Sequence, residues 1–452
     1  MYVGYVVSTT LALLESERYD RTGVTLLDAF LDVKDGDGDD DDGSQNPHAA
    51  SIDSSRIVRA DYASLAYARL AAEAQERWRD GFGRIGGGDG GVYKESGVVL
   101  TMGKMGSGYV EGAMRNAREL GMGSKVRVLE GEEEVGEVLG TGGKGKGVGE
   151  AGYVNWGSGW ADAGRAMRGL MRLVKARRRS RGGVRFVRGE VERLVFRGCE
   201  GGGRRRVVGA RLEGGEELRA ELTIVAGGAW SGALVDLRGR VEATGQVMAY
   251  VGISGEEKEK LGRMPVLLNL STGMFVIPPV WDPLAGGWVI KVARHSYGYA
   301  NPTLVKPEGQ DMVANLPAAR FSPIPIEGEE ALREFLGQVI PWLDERPFSG
   351  TRICWYADTP TGDFLIDYHG EYDGLFLATG GSGHGFKFLP VLGEKILAAV
   401  ERKLEDELAG LWRWREKSLP FEGTEDGSRS GVKLMILDEE LMKGGRKTKS
   451  KL

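Results

Sequence analysis

The chain has 452 residues, of which 41% are hydrophobic, so it is long enough to bury a large core and to form more than one folding unit. Its 65 acidic and 60 basic residues leave a net charge of −5, and this near balance excludes the basic surface that nucleic acids or anionic membranes require. No apolar stretch approaches the roughly 20 residues that span a bilayer. The two cysteines, Cys199 and Cys354, lie far apart, which favours a soluble protein of a reducing compartment over a disulfide scaffold.

The N-terminal residues predict half of a Rossmann βαβ unit. Residues Val3 to Leu14 form an apolar helix pattern that is entered from Gly4, and a strand from Val24 to Asp28 follows. Gly4 would at best be the middle glycine of a GxGxxG motif, with Val7 in the third position. The sequence therefore predicts a dinucleotide fold without its first strand. Asp28 still stands where an acidic residue accepts hydrogen bonds from a ribose.

A run of acidic residues from Asp35 to Asp42 superficially resembles a calcium-binding loop. The pattern fails that template because Asp40 replaces the required glycine and Asn46 replaces the final glutamate. The better interpretation is a solvated acidic insertion, and we predict no metal site.

Helical and strand patterns alternate through the rest of the chain. One helix pattern runs from Asp61, a plausible N-terminal cap, to Trp78, and another follows Asp162. The apolar segments that predict strands are Val184–Val187, Val207–Leu212 and Leu222–Ala226 (read as one meander), Met274–Ile277, Trp288–Val292 and Leu375–Thr379. A final helix is expected from about Pro390 to Lys403, and a loosely held polar tail from about Glu422.

The densest motifs lie near the C-terminal end and identify a family. They are Cys354–Pro360, Phe364–His369 and Ala378–Pro390, with further matches at Ser54–Tyr62, Gly152–Asn155, Ser158–Asp162, Ala226–Ser231 and Ile290–His295. Together they resemble the monomeric sarcosine oxidases and their pipecolate oxidase and fungal saccharopine oxidase relatives, which are FAD-dependent amine oxidases of the D-amino acid oxidase superfamily. The resemblance covers most of the chain from about residue 51 to 400.

The resemblance implies an α/β (α+β) fold with two domains. A discontinuous Rossmann-like FAD-binding domain would comprise residues 1–92, 151–246 and 345–421. A mainly antiparallel β substrate domain would comprise residues 93–150 and 247–344. Residues 422–452 form the polar tail.

The resemblance also implies how FAD is held. A cysteine at the position of Cys354 forms a thioether with the flavin, which a nucleophilic thiolate makes plausible, although the same residue read alone would be a small core side chain. Glycines in the turn after Thr379 let backbone amides approach the flavin ring. The complete set of expected cofactor-binding residues is Gly4, Asp28, Ser55, Arg56, Val191, Gly228, Trp230, Cys354, Gly381, Gly383, Gly385 and Lys387.

The substrate would be an amino acid clamped through its carboxylate. Arg59 and Lys387 take this role by similarity, because cationic donors make short bonds to a carboxylate, while Arg56 lies nearer the flavin and His295 borders the substrate. Without the resemblance, the sequence would predict that both arginines are surface cations and that His295 is a loop histidine whose hydrogen bonds are satisfied within the protein.

Lys291 matches a lysine that the family places near the flavin N5 through water, where its charge stabilises the superoxide formed with O2. Its neighbours alternate between apolar and polar residues, so it could equally point outward from a strand. His384 stands where the fructosyl-amino-acid oxidases usually carry arginine, which favours sarcosine-, pipecolate- or saccharopine-like substrates.

The expected reaction converts a secondary amino acid and O2 into an imine and H2O2. The same-fold alternative is a glycated (fructosyl) amino acid oxidase. A different class of function, a non-catalytic homologue that binds no FAD, follows from the incomplete dinucleotide motif, and a start codon upstream of Met1 is a third interpretation. The terminal Ser450-Lys451-Leu452 matches the tripeptide read by the peroxisomal import receptor, so a peroxisomal location is expected, with a cytoplasmic one as the alternative.

Overall fold

A computed structural model describes residues 3–16, 23–31, 49–85, 91–102, 108–145, 147–181, 183–198, 203–283, 285–307, 309–318, 323–417, 420–433 and 435–449. The helices are α1 Val3–Glu15, α2 Leu65–Arg79, α3 Gly108–Ala117, α4 Glu132–Leu139, α5 Ala163–Arg181, α6 Ser231–Leu234, α7 Gly255–Leu261, α8 Ile326–Val339, α9 Leu389–Val400, α10 Asp406–Trp412 and α11 Leu437–Lys449. The acidic run at 35–42, Cys199 and the terminal tripeptide lie outside the described residues.

The described residues contain 23 strands, which form six sheets. In chain order the strands are β1 Thr25–Asp28, β2 Arg56–Val58, β3 Tyr93–Lys94, β4 Val98–Met102, β5 Val126–Glu130, β6 Ala151–Asn155, β7 Gly159–Ala161, β8 Arg185–Arg188, β9 Val191–Arg197, β10 Arg206–Leu212, β11 Glu217–Arg219, β12 Thr223–Val225, β13 Glu242–Ile253, β14 Val266–Asn269, β15 Met274–Asp282, β16 Gly287–Arg294, β17 Tyr299–Ala300, β18 Pro302–Val305, β19 Met312–Asn315, β20 Gly350–Asp358, β21 Leu365–Tyr368, β22 Leu375–Thr379 and β23 Met435–Ile436. No helix in the described part of the chain is long and apolar enough to cross a bilayer.

A ten-stranded, largely antiparallel sheet forms the larger half of the molecule. Its strand order is β23-β17-β13-β16-β15-β14-β4-β6-β5, and β20 also pairs with β13. Apolar side chains cover both faces of the central strands, which explains why β15 and β16 read as nearly continuous apolar runs. Strands β6 and β20 belong to this sheet, although the predicted division assigns their residues to the FAD-binding domain. The exact division of the chain into domains stays a prediction.

Four parallel strand pairs occur among the described residues, and two of them, β4–β14 and β17–β23, lie in the large sheet. The other two lie outside it. Strand β1 pairs in parallel with β8, and β12 pairs in parallel with β22, beside which β21 runs antiparallel. The mixed α/β class that the sequence predicts is confirmed.

The predicted meander over residues 184–226 was wrong. Its segments fall into separate sheets. Strand β8 pairs with β1, β10 forms an antiparallel sheet with β9 and β11, and β12 pairs with β22. The short connection that contains Gly214-Gly215 favours a local hairpin between β10 and β11, and the polar strands β9 and β11 carry no apolar pattern that predicts this sheet.

Helix α1 packs against α5 and α9. A Cβ at Gly393 in α9 would lie only 2.2 Å from the carbonyl oxygen of Ser8, so glycine permits this close approach. Helix α2 begins at Leu65 with Ser64 as its N-cap residue, and the predicted cap Asp61 was wrong. Asp61 is buried instead, and its carboxylate accepts hydrogen bonds from Tyr153, Asn155 and Ser158.

Candidate active site

A cavity of about 70 Å³ lies where β2, β16 and β20 meet the turn that follows β22. Its polar lining contains Arg56, Arg59, Lys291, His295, Tyr356, His384 and Lys387, and its apolar walls are formed by Ile57, Leu268, Phe275, Ile277 and Phe386. No carboxylate side chain is among the described residues that line it. The structure therefore brings together, in one strongly cationic cavity, the catalytic and substrate-binding residues that the sequence suggested.

Arg59 is a buried cation without an acidic partner in the described structure. Its Nη2 donates to the Tyr109 hydroxyl at 3.3 Å, and its guanidinium lies over the Tyr62 ring. Its Nη1 is buried and makes no hydrogen bond to any described residue. A buried, unsatisfied donor costs about 1–3 kcal/mol, more when it is charged, so this nitrogen calls for an anionic ligand. The interpretation of Arg59 as a surface cation is wrong, since only 6% of the residue is exposed.

Lys387 is the second cation of this kind. Its Nζ donates to the Tyr62 hydroxyl at 2.8 Å and to the His384 carbonyl at 3.0 Å, and the structure shows no ion pair for it among the described residues. Burial, followed by the nearby Arg59 charge, lowers the pKa of the Lys387 amine well below its usual value. A bound carboxylate would favour the charged state of Lys387.

Lys291 is held by a buried carboxylate that the sequence analysis did not identify. The side chains of Lys291 and Asp53 are fully buried, with Nζ 2.6 Å from Asp53 Oδ2 and 2.8 Å from the Ser55 carbonyl oxygen. Tyr250, which lies opposite Lys291 in the β13–β16 register, donates to the other oxygen of Asp53 at 2.6 Å. Burial lowers the pKa of Lys291 to about 8, although Asp53 opposes this effect. The outward orientation that the sequence left open for Lys291 is therefore wrong.

Arg56 completes the cluster around Asp53. Its guanidinium pairs with the Asp53 carboxylate, and its Nε donates to the Ala50 carbonyl at 3.2 Å. Burial alone would raise the pKa of Asp53, but the charges of Arg56, Lys291 and Arg352 outweigh it and hold the pKa well below its usual range. The cluster thus keeps a negative charge between cations beside the cavity.

Cys354 is a buried free thiol at the edge of the same cluster. It lies on β20 opposite Gln246, and its Sγ accepts a hydrogen bond from Arg56 Nη2 at 3.4 Å. Tyr356, two residues further along β20, therefore lies on the same face and lines the cavity.

His384 links the substrate-side groups into one hydrogen-bond chain. Its Nε2 lies 2.8 Å from the Gly362 carbonyl oxygen, which can only accept, so Nε2 carries the proton and Nδ1 accepts from the Tyr62 hydroxyl at 2.9 Å. Burial, and then the charge of Lys387, lowers the pKa of His384 well below its usual value. The chain from Lys387 through Tyr62 to a neutral His384 fixes the orientation of all three side chains.

The glycine turn after β22 places main chain where side chains would not fit. Gly383 has φ +70°, and a Cβ there would lie 2.4 Å from the Tyr356 ring. The amides of His384 and Gly385 both donate to the Gly381 carbonyl, which keeps the turn compact. The turn can therefore bring main-chain amides close to a flat ligand.

The remaining residues expected to bind the cofactor are spread along other elements. Gly4 lies in the first turn of α1, Val191 begins β9, and Gly228 and Trp230 lie in the short helical turn after β12. Asp28 ends β1, where its buried carboxylate accepts from the Phe30 amide at 2.7 Å. None of these residues lines the cavity described above. Their roles stay predictions.

Several residues of the site carried little signal in the sequence. Asp53 stands three residues before Arg56, Tyr62 and Tyr356 lie inside the recognised motifs without an assigned role, and Tyr109 lies in α3. A polar residue near a motif is a weak indication of function. Only the hydrogen bonds of the folded chain show that Asp53, Tyr62 and Tyr109 hold cations of the cavity.

The loosely held tail predicted from residue 422 was wrong for residues 422–433. Arg429 and Thr424 are buried, and Arg429 Nη2 donates to Asp358 at 2.9 Å in a fully buried ion pair. Thr424 donates to the Thr359 carbonyl at 2.9 Å. The segment is polar because its polar groups pair with β20 and its flanking loop, which composition alone cannot reveal.

A model of the FAD dependent oxidoreductase family matches residues 8–399. The chain belongs to this family. The resemblance to the amine oxidases of the D-amino acid oxidase superfamily is thereby confirmed. The protein is therefore an enzyme, as predicted, and its class is that of the FAD-dependent oxidoreductases.

Three relatives show how far the similarity extends. Amino acid oxidase fsqB of Aspergillus fumigatus is 30% identical over 83% of this chain and 86% of that protein. L-saccharopine oxidase of Schizosaccharomyces pombe is 30% identical over 81% of this chain and 84% of that protein. Among solved structures, the fructosamine oxidase Amadoriase II of Aspergillus fumigatus is 25% identical, with a TM-score of 0.78 over 96% of this chain and 94% of that chain.

The residues beside the cavity fit the flavin end of FAD. The buried hydroxyl of Ser55 lacks a hydrogen-bond partner among the described residues, and it lies next to Arg56 in sequence. The glycine turn and the thiol of Cys354 border the same space from β20 and β22. A flat, electron-accepting ring with polar edges matches this set of donors.

Proposed function

We propose that this FAD-dependent oxidoreductase oxidises a secondary α-amino acid to an imine with O2 as the electron acceptor. The observation that carries the proposal is the pair of buried cations Arg59 and Lys387, which share one cavity and lack acidic partners in the described structure. Bound FAD supplies the acceptor for the hydride and, when it is reoxidised by O2, yields H2O2. The imine is then hydrolysed.

The protein's own contribution begins with orientation of the substrate. The free Nη1 of Arg59 and the Nζ of Lys387 would bind the carboxylate with charge-assisted hydrogen bonds. Tyr62 holds Lys387 from one side and His384 from the other, so this clamp is rigid before the substrate binds. A fixed carboxylate determines where the adjacent α-carbon lies.

Lys291 would act in the oxygen half of the reaction. Its fixed positive charge, paired with Asp53 and shielded from water, can stabilise the negative charge that develops on O2 as it is reduced. Arg56 contributes a second charge at the same end of the cavity. We assign Arg56, Lys291, Ser55, Cys354 and the amides of the glycine turn to the flavin.

The remaining cofactor contacts complete the proposal. Asp28 would bind the ribose, while Gly4, Val191, Gly228 and Trp230 would line the rest of the dinucleotide site. Cys354 would bind the flavin covalently, because its buried thiol lies beside the Arg56 guanidinium. The terminal Ser450-Lys451-Leu452 would address the enzyme to peroxisomes, where H2O2 is removed.

The substrate class has two candidates. The similarity to L-saccharopine oxidase and the neutral His384 support a saccharopine-, pipecolate- or sarcosine-like amino acid. The similarity to Amadoriase II supports a glycated amino acid instead. Histidine at position 384 lacks the positive charge that the arginine of glycated-amino-acid oxidases supplies, so we favour the first class.

A substrate panel tests the proposal directly. Purified protein is supplied with FAD and assayed for H2O2 with sarcosine, L-pipecolate, L-saccharopine and fructosyl-lysine. We expect the strongest activity among the first three compounds, and preference for fructosyl-lysine would establish the alternative. Acid denaturation reports on the cofactor separately, since yellow colour that stays with the polypeptide supports attachment to Cys354. Protein that takes up no FAD and oxidises none of the compounds would instead support the non-catalytic homologue.

A further inference from the structure

The C-terminal segment, residues 420–433, packs against elements that line the active-site cavity. Arg429 joins three pieces of the site, because it pairs with Asp358 at the end of β20 and donates to the carbonyls of Ser382 and Ser296 at 2.9 and 3.0 Å. Ser382 belongs to the glycine turn, and Ser296 follows His295 directly. The segment is therefore fixed at a defined position beside His295.

A hydrogen-bond chain runs from this segment into the cavity. The Ser428 hydroxyl lies 2.7 and 2.8 Å from the two carboxylate oxygens of Asp426, and 3.3 Å from His295 Nε2. The Asp426 carboxylate also accepts from the Ser428 amide at 2.8 Å, which holds the serine close. The chain thus has the order carboxylate, hydroxyl, imidazole.

The direction of each hydrogen bond follows from the number of protons available. A serine hydroxyl has one proton, and the carboxylate oxygens of Asp426 can only accept it. The Ser428 oxygen must then accept from His295, so Nε2 carries the ring proton. In the neutral imidazole, Nδ1 is left as an acceptor with a free lone pair.

The surroundings of His295 keep the ring neutral. Burial, followed by the charges of Arg429 and Arg59, lowers the pKa of His295 well below its usual value. His384 and Lys387 act in the same direction from the glycine turn, and the Tyr356 ring packs against the imidazole from β20. His295 Nδ1 makes no hydrogen bond to a described residue, and the side chain lines the cavity.

We propose that Asp426 and Ser428 are positioning residues that fix His295 as its Nε2–H tautomer, so that Nδ1 accepts a hydrogen bond from the substrate amine. This inference rests on the proposed function, because it requires an amino acid whose carboxylate is bound by Arg59 and Lys387. The carboxylate clamp and the histidine acceptor then fix two points on either side of the α-carbon. With the carboxylate and the amine both fixed, the position of the α-carbon between them is restricted.

The tautomer can be measured without turnover. The chain has four histidines, so the ring nitrogens of [15N]histidine-labelled, FAD-loaded protein can be assigned by NMR, with His295→Gln identifying its own signals. We expect His295 Nε2 to be protonated in the wild-type protein and in Ser428→Thr, which keeps the hydroxyl. Ser428→Ala and Asp426→Asn should shift the tautomer balance toward Nδ1–H. An Nδ1–H ring in the wild type, or an unchanged His295 spectrum in both Ser428→Ala and Asp426→Asn, would overturn the inference.

Ser430→Ala is the matched control. Ser430 belongs to the same segment, but its buried hydroxyl makes no hydrogen bond to a described residue, so its removal should leave the His295 signals unchanged. A change as large as that of Ser428→Ala would show that any loss of a hydroxyl in this segment disturbs the ring, and would overturn the specific role of Ser428.

The kinetic arm uses whichever of sarcosine, L-pipecolate and L-saccharopine is oxidised fastest in the substrate panel. Loss of one oriented hydrogen bond in Ser428→Ala should lower kcat/KM about tenfold and leave the reaction of the reduced enzyme with O2 unchanged. Equal losses in both half-reactions would contradict a role confined to the substrate. If the panel finds no oxidised compound, the proposed function fails, while the NMR measurement still decides whether Ser428 sets the tautomer.

Discussion

Two kinds of buried cation occur in one small cavity. Lys291 is neutralised by Asp53, whereas Lys387 and Arg59 find only hydroxyl and carbonyl oxygens among the described residues. Because a buried charge is costly unless it is paired, the second kind is stable only if a ligand supplies the missing charge. This contrast supports our proposal that the unpaired cations bind the substrate and that the paired lysine serves the cofactor and O2.

Replacing Lys387 with methionine keeps the length of the side chain and removes its charge. We expect KM for the amino acid to rise about 10- to 100-fold with a smaller change in kcat, because one charge-assisted bond to the carboxylate is lost. Steady-state kinetics with the best substrate measures this effect. Lys403→Met is the control, since Lys403 is an exposed side chain paired only with Glu401 and should behave as the wild type.

Lys291→Met should affect the other half-reaction. We expect slower reoxidation of the reduced enzyme by O2 and nearly normal reduction by substrate, as resolved by stopped-flow absorbance. In the wild type, the Lys291 cation is present below its pKa of about 8 and is lost above it, so the reoxidation rate should fall as the pH rises through 8. Lys291→Met should lack this pH dependence. Equal defects of Lys291→Met and Lys387→Met in both half-reactions would contradict the two roles.

At the scale of elements, the site depends on the contact between β20 and the glycine turn after β22. Strand β20 presents Cys354 and Tyr356 on one face, and the turn passes so close to Tyr356 that position 383 has no room for a side chain. Pairing of β20 with β13 fixes the strand, and β16 carries Lys291 into the same cavity from the other side of β13.

Gly383→Ala should disturb this contact. The new Cβ would overlap the Tyr356 ring, and φ +70° is strained for alanine, so we expect a loss of about 1–3 kcal/mol in unfolding free energy and weaker FAD retention. Chemical denaturation and flavin content measure the two effects. Gly410→Ala in α10 has free space around the new Cβ and should be neutral or slightly stabilising. Equal stability of the two variants would show that the turn can move away from β20.

At the scale of the whole molecule, segments from both ends of the chain form one site. The segment 49–59 supplies Asp53, Arg56 and Arg59, and the C-terminal segment returns to cover the turn and β20 through Arg429. Such long-range contacts make the integrity of the site depend on the entire fold.

Arg429→Met should therefore destabilise the protein more than its position near the end of the chain suggests. It leaves Asp358 buried beside only a Thr244 hydroxyl as a side-chain donor, and breaking a buried ion pair typically costs about 3–5 kcal/mol. Urea denaturation measures the change. Arg415→Met removes a half-exposed pair with Asp363 and should cost less than about 1 kcal/mol. Equal losses for the two variants would mean that the C-terminal segment contributes little to stability.

The sequence by itself determined the family, the α/β class, most helices and the strands with apolar patterns, because local periodicity and dense motifs encode them. It also identified the arginines, lysines and histidines that line the cavity, because these belong to the recognised motifs. Only the tertiary structure decided that Arg59 and Lys387 lack acidic partners among the described residues, that Asp53 neutralises Lys291, and that residues 422–433 pack against the site. These facts depend on side chains that are 50 or more positions apart in sequence, so no local pattern can encode the free energy of their burial.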